Sequence, residues 1–201
     1  MIESAFAMLG AYLLGCFTTG YYLVRLMTGQ DIRTHASGGT GSRNVGRLLG
    51  AKGFVITFIG DAGKGMLAVW LGGHWGMEQW QVFAVLLAVV TGHIFPFQLG
   101  FRGGKGFATL AGGLLLLAPY LLLAGFLLSV LFLAIVRRTT MAGLLGLACS
   151  PLLLAFDHSR HGLPLVGRDV VIYVVLVLLI LFAHRSNIRD FFNNRSGVSG
   201  G

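Results

Sequence analysis

The chain has 201 residues, of which 55% are hydrophobic and only 11% are charged, and its mean hydropathy is +0.80. Ordinary soluble domains carry about 25% charged residues. So few charges cannot cover the surface of a water-soluble protein of this length. The composition therefore excludes an ordinary soluble domain and indicates that lipid is the main solvent of this chain.

The apolar residues form long blocks that are typical of an all-α polytopic membrane protein. We predict seven transmembrane helices, over residues 4–27, 51–73, 80–98, 107–118, 119–136, 140–156 and 169–184. The fourth and fifth are one run interrupted at Pro119, which favours a helical hairpin with a short first arm. The alternative is one long kinked helix, which would give six spans.

The basic residues predict the orientation of these spans. With seven spans, 12 of the 15 basic residues fall on one side: Arg25, Arg33, Arg43, Arg47, Lys52, Arg102, Lys105, Arg137, Arg138, Arg185, Arg189 and Arg195. Lysine and arginine are enriched in cytoplasmic loops, so the N-terminus is predicted outside and the C-terminus in the cytoplasm. We expect a single transmembrane domain over residues 1–191 and a disordered tail over residues 192–201.

Glycines, hydroxyls and bases gather in two predicted cytoplasmic loops. The first holds Ser37, Gly38, Gly41, Arg43, Asn44 and Arg47, and the second holds Arg102, Gly103, Gly104, Lys105, Gly106 and, just beyond, Thr109. Glycines let backbone N–H groups approach an anion, and lysine and arginine side chains add charge and donors. We predict a phosphate site. The alternative is that these loops serve only topology and lipid headgroups.

Asp61 and Lys64 lie within the second predicted span. They are three residues apart on a helix, so they share a face and are expected to pair. Ionisable residues inside a membrane are costly unless they are paired or functional. Lys64 is therefore either a second phosphate ligand oriented by Asp61, or half of an ion pair that only joins helices.

Three more polar residues lie near the cytoplasmic ends of predicted spans. His93 lies near the cytoplasmic end of the third span, beside the basic loop, and we predict that it acts as a general base or a phosphate donor. The alternative is that it is only an interfacial residue. His184 ends the seventh span and Asn187 follows it, and both are predicted to line an anion site or the interface. The sequence has no H-E-x-x-H or other ligand cluster, so we expect no metal.

These residues resemble the motifs of the bacterial acyl-phosphate:glycerol-3-phosphate acyltransferases, a family of small integral membrane enzymes. The first loop resembles the family's S-G-N-x-G-x-x-N motif, and the second span resembles its D-x-x-K-G element. The third block, G-H-I-F-P followed by G-G-K-G-x-A-T, is the longest match and runs from Gly92 to Thr109.

The resemblance implies a seven-span fold in the bacterial cytoplasmic (inner) membrane with its active site facing the cytoplasm. It implies transfer of an acyl group from acyl-phosphate to glycerol 3-phosphate, which gives lysophosphatidic acid and phosphate in phospholipid synthesis. No cofactor and no nucleic acid are implied. The implied partners are the two substrates, membrane lipid and the enzyme that forms acyl-phosphate. Lys105, His93, Ser37 and Asn44 are the catalytic candidates.

Two departures from the family pattern leave the acceptor open. In the first loop, Gly39-Thr40 stands where the family usually has Asn, and Arg43 stands where it usually has Thr. The acidic residue often found after the family's last helix is also missing from the tail, residues 193–197. A paralogue that acylates another phosphorylated alcohol is one alternative. The others are a transporter or channel for a phosphorylated solute, and a structural membrane protein that binds anionic lipid.

Overall fold

The computed structural model describes residues 2–195, and this part of the chain is all helical. Its α-helices are α1 (Ile2–Cys16), α2 (Thr19–Thr28), α3 (Ser42–His74), α4 (Gln79–Ile94), α5 (Phe107–Leu117), α6 (Pro119–Val136), α7 (Thr139–Arg160), α8 (Arg168–Ala183) and α9 (Arg185–Arg195). Short 3₁₀ turns at Ile32–Thr34 and Phe97–Leu99 lie in the two connections that carry the predicted phosphate motifs.

Within residues 2–195, five helical segments are long and apolar enough to cross a membrane, and a sixth is added if the bent pair α8–α9 counts as one span. The two helices of that pair meet at 55°. Each of the seven predicted segments contains a helix, but α5 has only 11 residues. At 1.5 Å per residue such a helix is about 16 Å long, roughly half of the hydrocarbon thickness. The all-α polytopic class is confirmed, and the count of seven is not.

The helices form two compact units, with the first ending at Leu117 and the second beginning at Ala118. In the first, α1 packs on α4, and α3 packs on α4 and α5. In the second, α7 packs on α6 and α8. The single-domain prediction stays a prediction. The predicted disordered tail overlaps the end of α9, and its remainder lies outside the described residues.

Two predicted boundaries differ from the structure. The first span, predicted as one helix, is interrupted between α1 and α2 at Phe17 and Thr18. Helix α3 begins at Ser42, so the second half of the predicted first loop is helical. The backbone leaves helical geometry at Gly50 (φ 69°, ψ −165°), which separates a short leading helix from the long span. Only glycine adopts that conformation without strain.

Glycines allow the helices of the first unit to cross in backbone contact. A Cβ at Gly15 would overlap the carbonyl of Val89, and one at Gly92 would overlap that of Tyr12, so α1 and α4 touch through both. Helix α3 approaches α5 in the same way at Gly65. Small residues at such crossings are characteristic of packed membrane helices.

We predict opposite effects for two glycines that flank Lys64. Gly65→Ala should lower stability by about 1–3 kcal/mol, since its Cβ would overlap the Thr109 carbonyl. Gly63→Ala has open space around it and should be neutral or stabilising by up to about 1 kcal/mol, because alanine favours the helix.

Thermal unfolding in detergent, followed by size-exclusion chromatography, measures both variants. Equal melting temperatures for the two would contradict a backbone contact between α3 and α5.

Candidate active site

The interruption between α1 and α2 exposes backbone carbonyls that need hydrogen-bond donors inside the protein. Lys64 Nζ donates to the carbonyl oxygens of Gly15 (3.1 Å) and Phe17 (2.9 Å). Gln98 Nε2 donates to the carbonyl of Cys16 at 2.7 Å. Side chains from two other segments therefore satisfy three successive carbonyls of the break, as buried backbone groups require.

Asp61 completes the ionic part of the site. Its Oδ1 lies 3.1 Å from Lys64 Nζ and accepts the backbone N–H of Thr19 at 3.3 Å. Thr19 begins α2, so the carboxylate meets the positive end of one helix while the ammonium meets the carbonyl end of another. Asp61 is 1% exposed and Lys64 is 6% exposed. The predicted pairing of these two residues is confirmed.

His93 joins this pair from α4. Its Nδ1 lies 2.7 Å from Lys64 Nζ and 3.6 Å from Asp61 Oδ1, and the residue is 2% exposed. Asp61, Lys64 and His93 thus form one buried cluster, which we call the ionic cluster. The ammonium of Lys64 is directed into this cluster and the helix break, where its hydrogen bonds are made to protein atoms.

Asn44 organises the first loop from inside. It is buried, and its Nδ2 donates to the carbonyls of Ile32, His35 and Gly39 at 2.8–3.2 Å. Its Oδ1 accepts the backbone N–H of Ser37 at 3.3 Å. The side chain therefore shapes the loop that carries Ser37, Gly38 and Gly41, and its polar atoms are used in doing so.

The two predicted loops are hydrogen-bonded to each other. Arg33 donates to the carbonyl of Leu99 at 2.6 Å, and the Thr40 N–H donates to the carbonyl of Gly103 at 3.4 Å. Asp31 holds the Arg33 guanidinium, with Nη2 2.7 Å from its Oδ2. The hydrogen bond from Arg33 lowers the pKa of the Asp31 carboxyl below its ordinary value. This ion pair therefore stays formed at neutral pH and fixes the arginine that links the loops.

The second loop folds back against the end of α4 and then starts α5. The N–H groups of Gly103 and Gly104 donate to the carbonyls of Ile94 (3.1 Å) and His93 (3.0 Å). Gly106 has φ of 81°, and α5 follows at once. Lys105 is half-buried in this segment, beside the first turn of a helix, where anions are favoured.

Two arginines border a groove where α3 begins. The groove has a volume of about 310 Å³ and is lined by Arg43, Gly46, Arg47, Gly50, Ala51 and Phe54. Both guanidinium-bearing residues are exposed. The volume is near the lower end of the range of about 300–1,000 Å³ that is typical of small-molecule sites.

The remaining predicted site residues fall in different surroundings. Arg102 is exposed in the second loop, whereas Thr109 is fully buried in α5 beside α3. His184 and Asn187 belong to the second unit, at the bend between α8 and α9, where His184 Nδ1 lies 2.8 Å from the Ile180 carbonyl. Their predicted part in an anion site stays a prediction.

Sequence reasoning missed several residues that shape the site. Arg33 and Gln98 were not singled out, because their partners are backbone carbonyls 66 and 82 residues away, which no motif encodes. It also gave no role to His158, whose Nε2 lies 2.9 Å from Asp169 Oδ2 in the second unit. The sequence signal that could have predicted this pair is Asp169, an acidic residue at the start of an apolar helix.

The fold and site define a polytopic helical membrane protein with a basic, glycine-lined site beside its spans. Residues 5–194 match the family model described as "Glycerol-3-phosphate acyltransferase". Relatives with that activity in their names are 44% identical in Desulfitobacterium hafniense, covering 95% of this chain and 92% of the relative, and 41% identical in Syntrophomonas wolfei, covering 94% and 92%.

Solved structures give the same result. The integral membrane glycerol 3-phosphate acyltransferase PlsY (YgiH), in its glycerol 3-phosphate form, superposes with a TM-score of 0.82 at 30% identity, covering 96% of this chain and 94% of that one. Its lysophosphatidic acid form gives 0.79 at 28%, covering 96% and 93%. The chain belongs to the PlsY-type family of integral membrane glycerol-3-phosphate acyltransferases. The resemblance and the enzyme class predicted from the sequence are confirmed, in preference to a transporter or a structural membrane protein.

We predict that Asn44→Asp reduces kcat/KM at least about tenfold. The change removes the donors and places a carboxylate oxygen among three carbonyls, and an unsatisfied buried polar group costs about 1–3 kcal/mol. Gln30→Glu makes the same chemical change at an exposed position of the same loop and is the control. Steady-state assays and melting temperatures in detergent measure both, and wild-type values for Asn44→Asp would contradict its role in shaping the loop.

Proposed function

We propose that this chain transfers an acyl group from acyl-phosphate to the 1-hydroxyl of glycerol 3-phosphate, giving lysophosphatidic acid and phosphate. The observation that carries the proposal is the direct hydrogen bonding between the two glycine-rich loops, at Arg33–Leu99 and Thr40–Gly103. Two phosphate-bearing substrates need two neighbouring groups of donors, and the linked loops supply them. The family membership and the forms of PlsY named above support the same reaction.

The donor phosphate is assigned to the second loop. Lys105 supplies a positive charge, Arg102 can reach phosphate oxygens from the exposed side, and the start of α5 adds backbone N–H groups. These groups neutralise the phosphate as it leaves. The apolar chain of the donor lies in lipid between the helices.

The acceptor phosphate is assigned to the first loop and the start of α3. Arg43 and Arg47 border the groove there, and Ser37 is exposed on the loop shaped by Asn44. A guanidinium group can donate two hydrogen bonds to two oxygens of one phosphate, which fixes the orientation of a small phosphorylated alcohol. Since Arg43 replaces a residue that is usually Thr in the family, it is also the position where another acceptor would be selected.

The chemistry needs positioning more than covalent help. Acyl-phosphate is a mixed anhydride, so attack by the 1-hydroxyl forms the ester bond and breaks the acyl–phosphate bond, with phosphate as leaving group. The hydroxyl proton passes to the phosphate of the acceptor, and the alternative is that His93 takes it. Charge stabilisation and orientation supply the rate. A covalent intermediate on Ser37 is disfavoured, because the structure pairs no base with its hydroxyl among the described hydrogen bonds.

The first test is release of phosphate from palmitoyl-phosphate by purified protein, with and without glycerol 3-phosphate. We expect release that depends on the acceptor, with lysophosphatidic acid formed in equal amount. Release that appears only with another phosphorylated alcohol would overturn the acceptor assignment and favour the paralogue. No release from folded protein with any acceptor would overturn the proposal.

Lys105→Ala should lower kcat/KM by about 100-fold or more, because one charged donor to a developing anion is worth roughly 3 kcal/mol in such sites. Lys52→Ala removes an exposed lysine from the start of the long span and should stay within about twofold of wild type. The assay above, with melting temperatures for both variants, measures the difference. Near-normal turnover by folded Lys105→Ala would show that the donor phosphate does not bind at the second loop.

We further propose the seven-span orientation, with the N-terminus outside and the linked loops in the cytoplasm. Here α5 counts as the fourth span although it has only 11 residues. Single cysteines at Thr34 and Arg189 should then be closed to an impermeant thiol reagent in intact cells, while cysteines at Gln79 and Leu163 should react. In a six-span protein, the cysteine at Arg189 would react and the one at Leu163 would be protected. The cysteines at Thr34 and Gln79 would give the same result in both topologies. The background for these probes lacks Cys16 and Cys149, both free thiols.

A further inference from the structure

His93 is fixed from two directions by groups on other segments. On one edge of its ring, Nδ1 lies 2.7 Å from Lys64 Nζ. On the other edge, Nε2 lies against Gly104, so closely that a Cβ at Gly104 would overlap it. The Gly104 N–H also donates to the His93 carbonyl at 3.0 Å. The imidazole is therefore held between the ionic cluster and the backbone of the second loop.

The hydrogen bonds of Lys64 decide which ring nitrogen carries the proton. The carboxylate of Asp61 at 3.1 Å keeps Lys64 as an ammonium, which has three N–H groups and no acceptor. Two of them are used on the carbonyls of Gly15 and Phe17. The third lies between Asp61 Oδ1 at 3.1 Å and His93 Nδ1 at 2.7 Å. Because an ammonium has no lone pair to accept a hydrogen bond, the ring nitrogen that faces it must be the unprotonated one. The neutral ring consequently carries its proton on Nε2, at the edge that faces Gly104.

A ring in this state is poorly placed to serve as a base. Its lone pair on Nδ1 is used by Lys64, and Nε2 already bears a proton. What the ring does make is a flat, fixed surface under Gly104, immediately before Lys105. The glycine is required because the imidazole occupies the space of a side chain.

We propose that His93 is a positioning residue: Lys64 locks its imidazole with the proton on Nε2, and the locked ring sets the backbone of Gly103, Gly104 and Lys105 for the donor phosphate. This inference rests on the proposed function, in which that loop binds acyl-phosphate. It also extends the site inward, because the ammonium of Lys64 and the carboxylate of Asp61 then act on the reaction through His93 and the loop without touching a substrate.

The test compares His93→Asn, Lys64→Met and the double variant in the palmitoyl-phosphate assay. Asn keeps an acceptor near the place of Nδ1 but lacks the ring edge under Gly104, while Lys64→Met leaves a histidine available as a base. We expect each single variant to raise KM for palmitoyl-phosphate about tenfold with kcat within about threefold. The double variant should be no worse than the poorer single variant, since neighbours that act as a unit are not additive.

A general base would behave differently. His93→Asn would then lower kcat by about 100-fold or more with little change in KM, remove the limb of the pH–rate profile that reports the base, and leave Lys64→Met almost normal. That pattern would overturn the proposal. Wild-type KM in both single variants would overturn it as well.

Two further variants keep the test decisive if the ionic cluster does not tolerate change. Gly104→Ala approaches the same ring from the loop side and should give the same rise in KM without altering any charge; an unchanged KM would overturn the proposal. His158→Asn alters another buried histidine, which lies between Asp169 and the Pro164 carbonyl, and should lower the melting temperature alone. All variants are compared with wild-type enzyme in the same assay. If the proposed function is wrong, the wild type itself shows no turnover, which distinguishes that failure from failure of this proposal.

Discussion

The ammonium of Lys64 at the helix break is the interaction on which the first unit depends. The carbonyls of Gly15 and Phe17 lie at this break, and no water is present inside a membrane to donate hydrogen bonds to them. A single side chain from α3 satisfies both. In doing so it fixes where α1 ends, how α2 leaves it and how deep α3 sits between them.

The glycine crossings and the ionic cluster support each other. Gly92 brings α4 into backbone contact with α1, and the next residue, His93, is thereby delivered to Lys64. Burying an ion costs several kcal/mol, which is offset only when its remaining hydrogen bonds are satisfied with good geometry. Here the carboxylate, two carbonyls and an imidazole surround one ammonium. Close packing of the helices excludes water, and the ionic cluster supplies hydrogen bonds to the buried polar groups that would otherwise have none.

The parts of this arrangement that depend on local spacing could be predicted from the sequence. Asp61 and Lys64 are one helical turn apart, so their pairing followed from helix geometry alone. The glycine loop before α5 was likewise visible as a motif. The break at Phe17 and Thr18 was not, because the glycines beside it, Gly15 and Gly20, are also common inside membrane helices and so do not mark an interruption.

Contacts between segments that are distant in the chain could not be predicted from the sequence, for a different reason. Asn44 was recognised as a polar loop residue, but its three carbonyl partners depend on the path of the backbone, which no residue type specifies. His93 was assigned to chemistry because a histidine near a basic loop suggests a base. Its surroundings became visible only when the fold placed it 2.7 Å from a lysine 29 residues earlier in the chain.

The hydrogen bonding of Lys64 has a chemical consequence for an enzyme that handles an activated acyl group. Acyl-phosphates react readily with free amines, and an amide formed on the enzyme would be permanent. A lysine whose nitrogen is held as an ammonium by a carboxylate and two carbonyls has no lone pair to offer such an electrophile. The guanidinium groups of Arg43 and Arg47 are equally unreactive. The buried lysine and the two arginines thus add positive charge near an acylating agent without offering it a nucleophile.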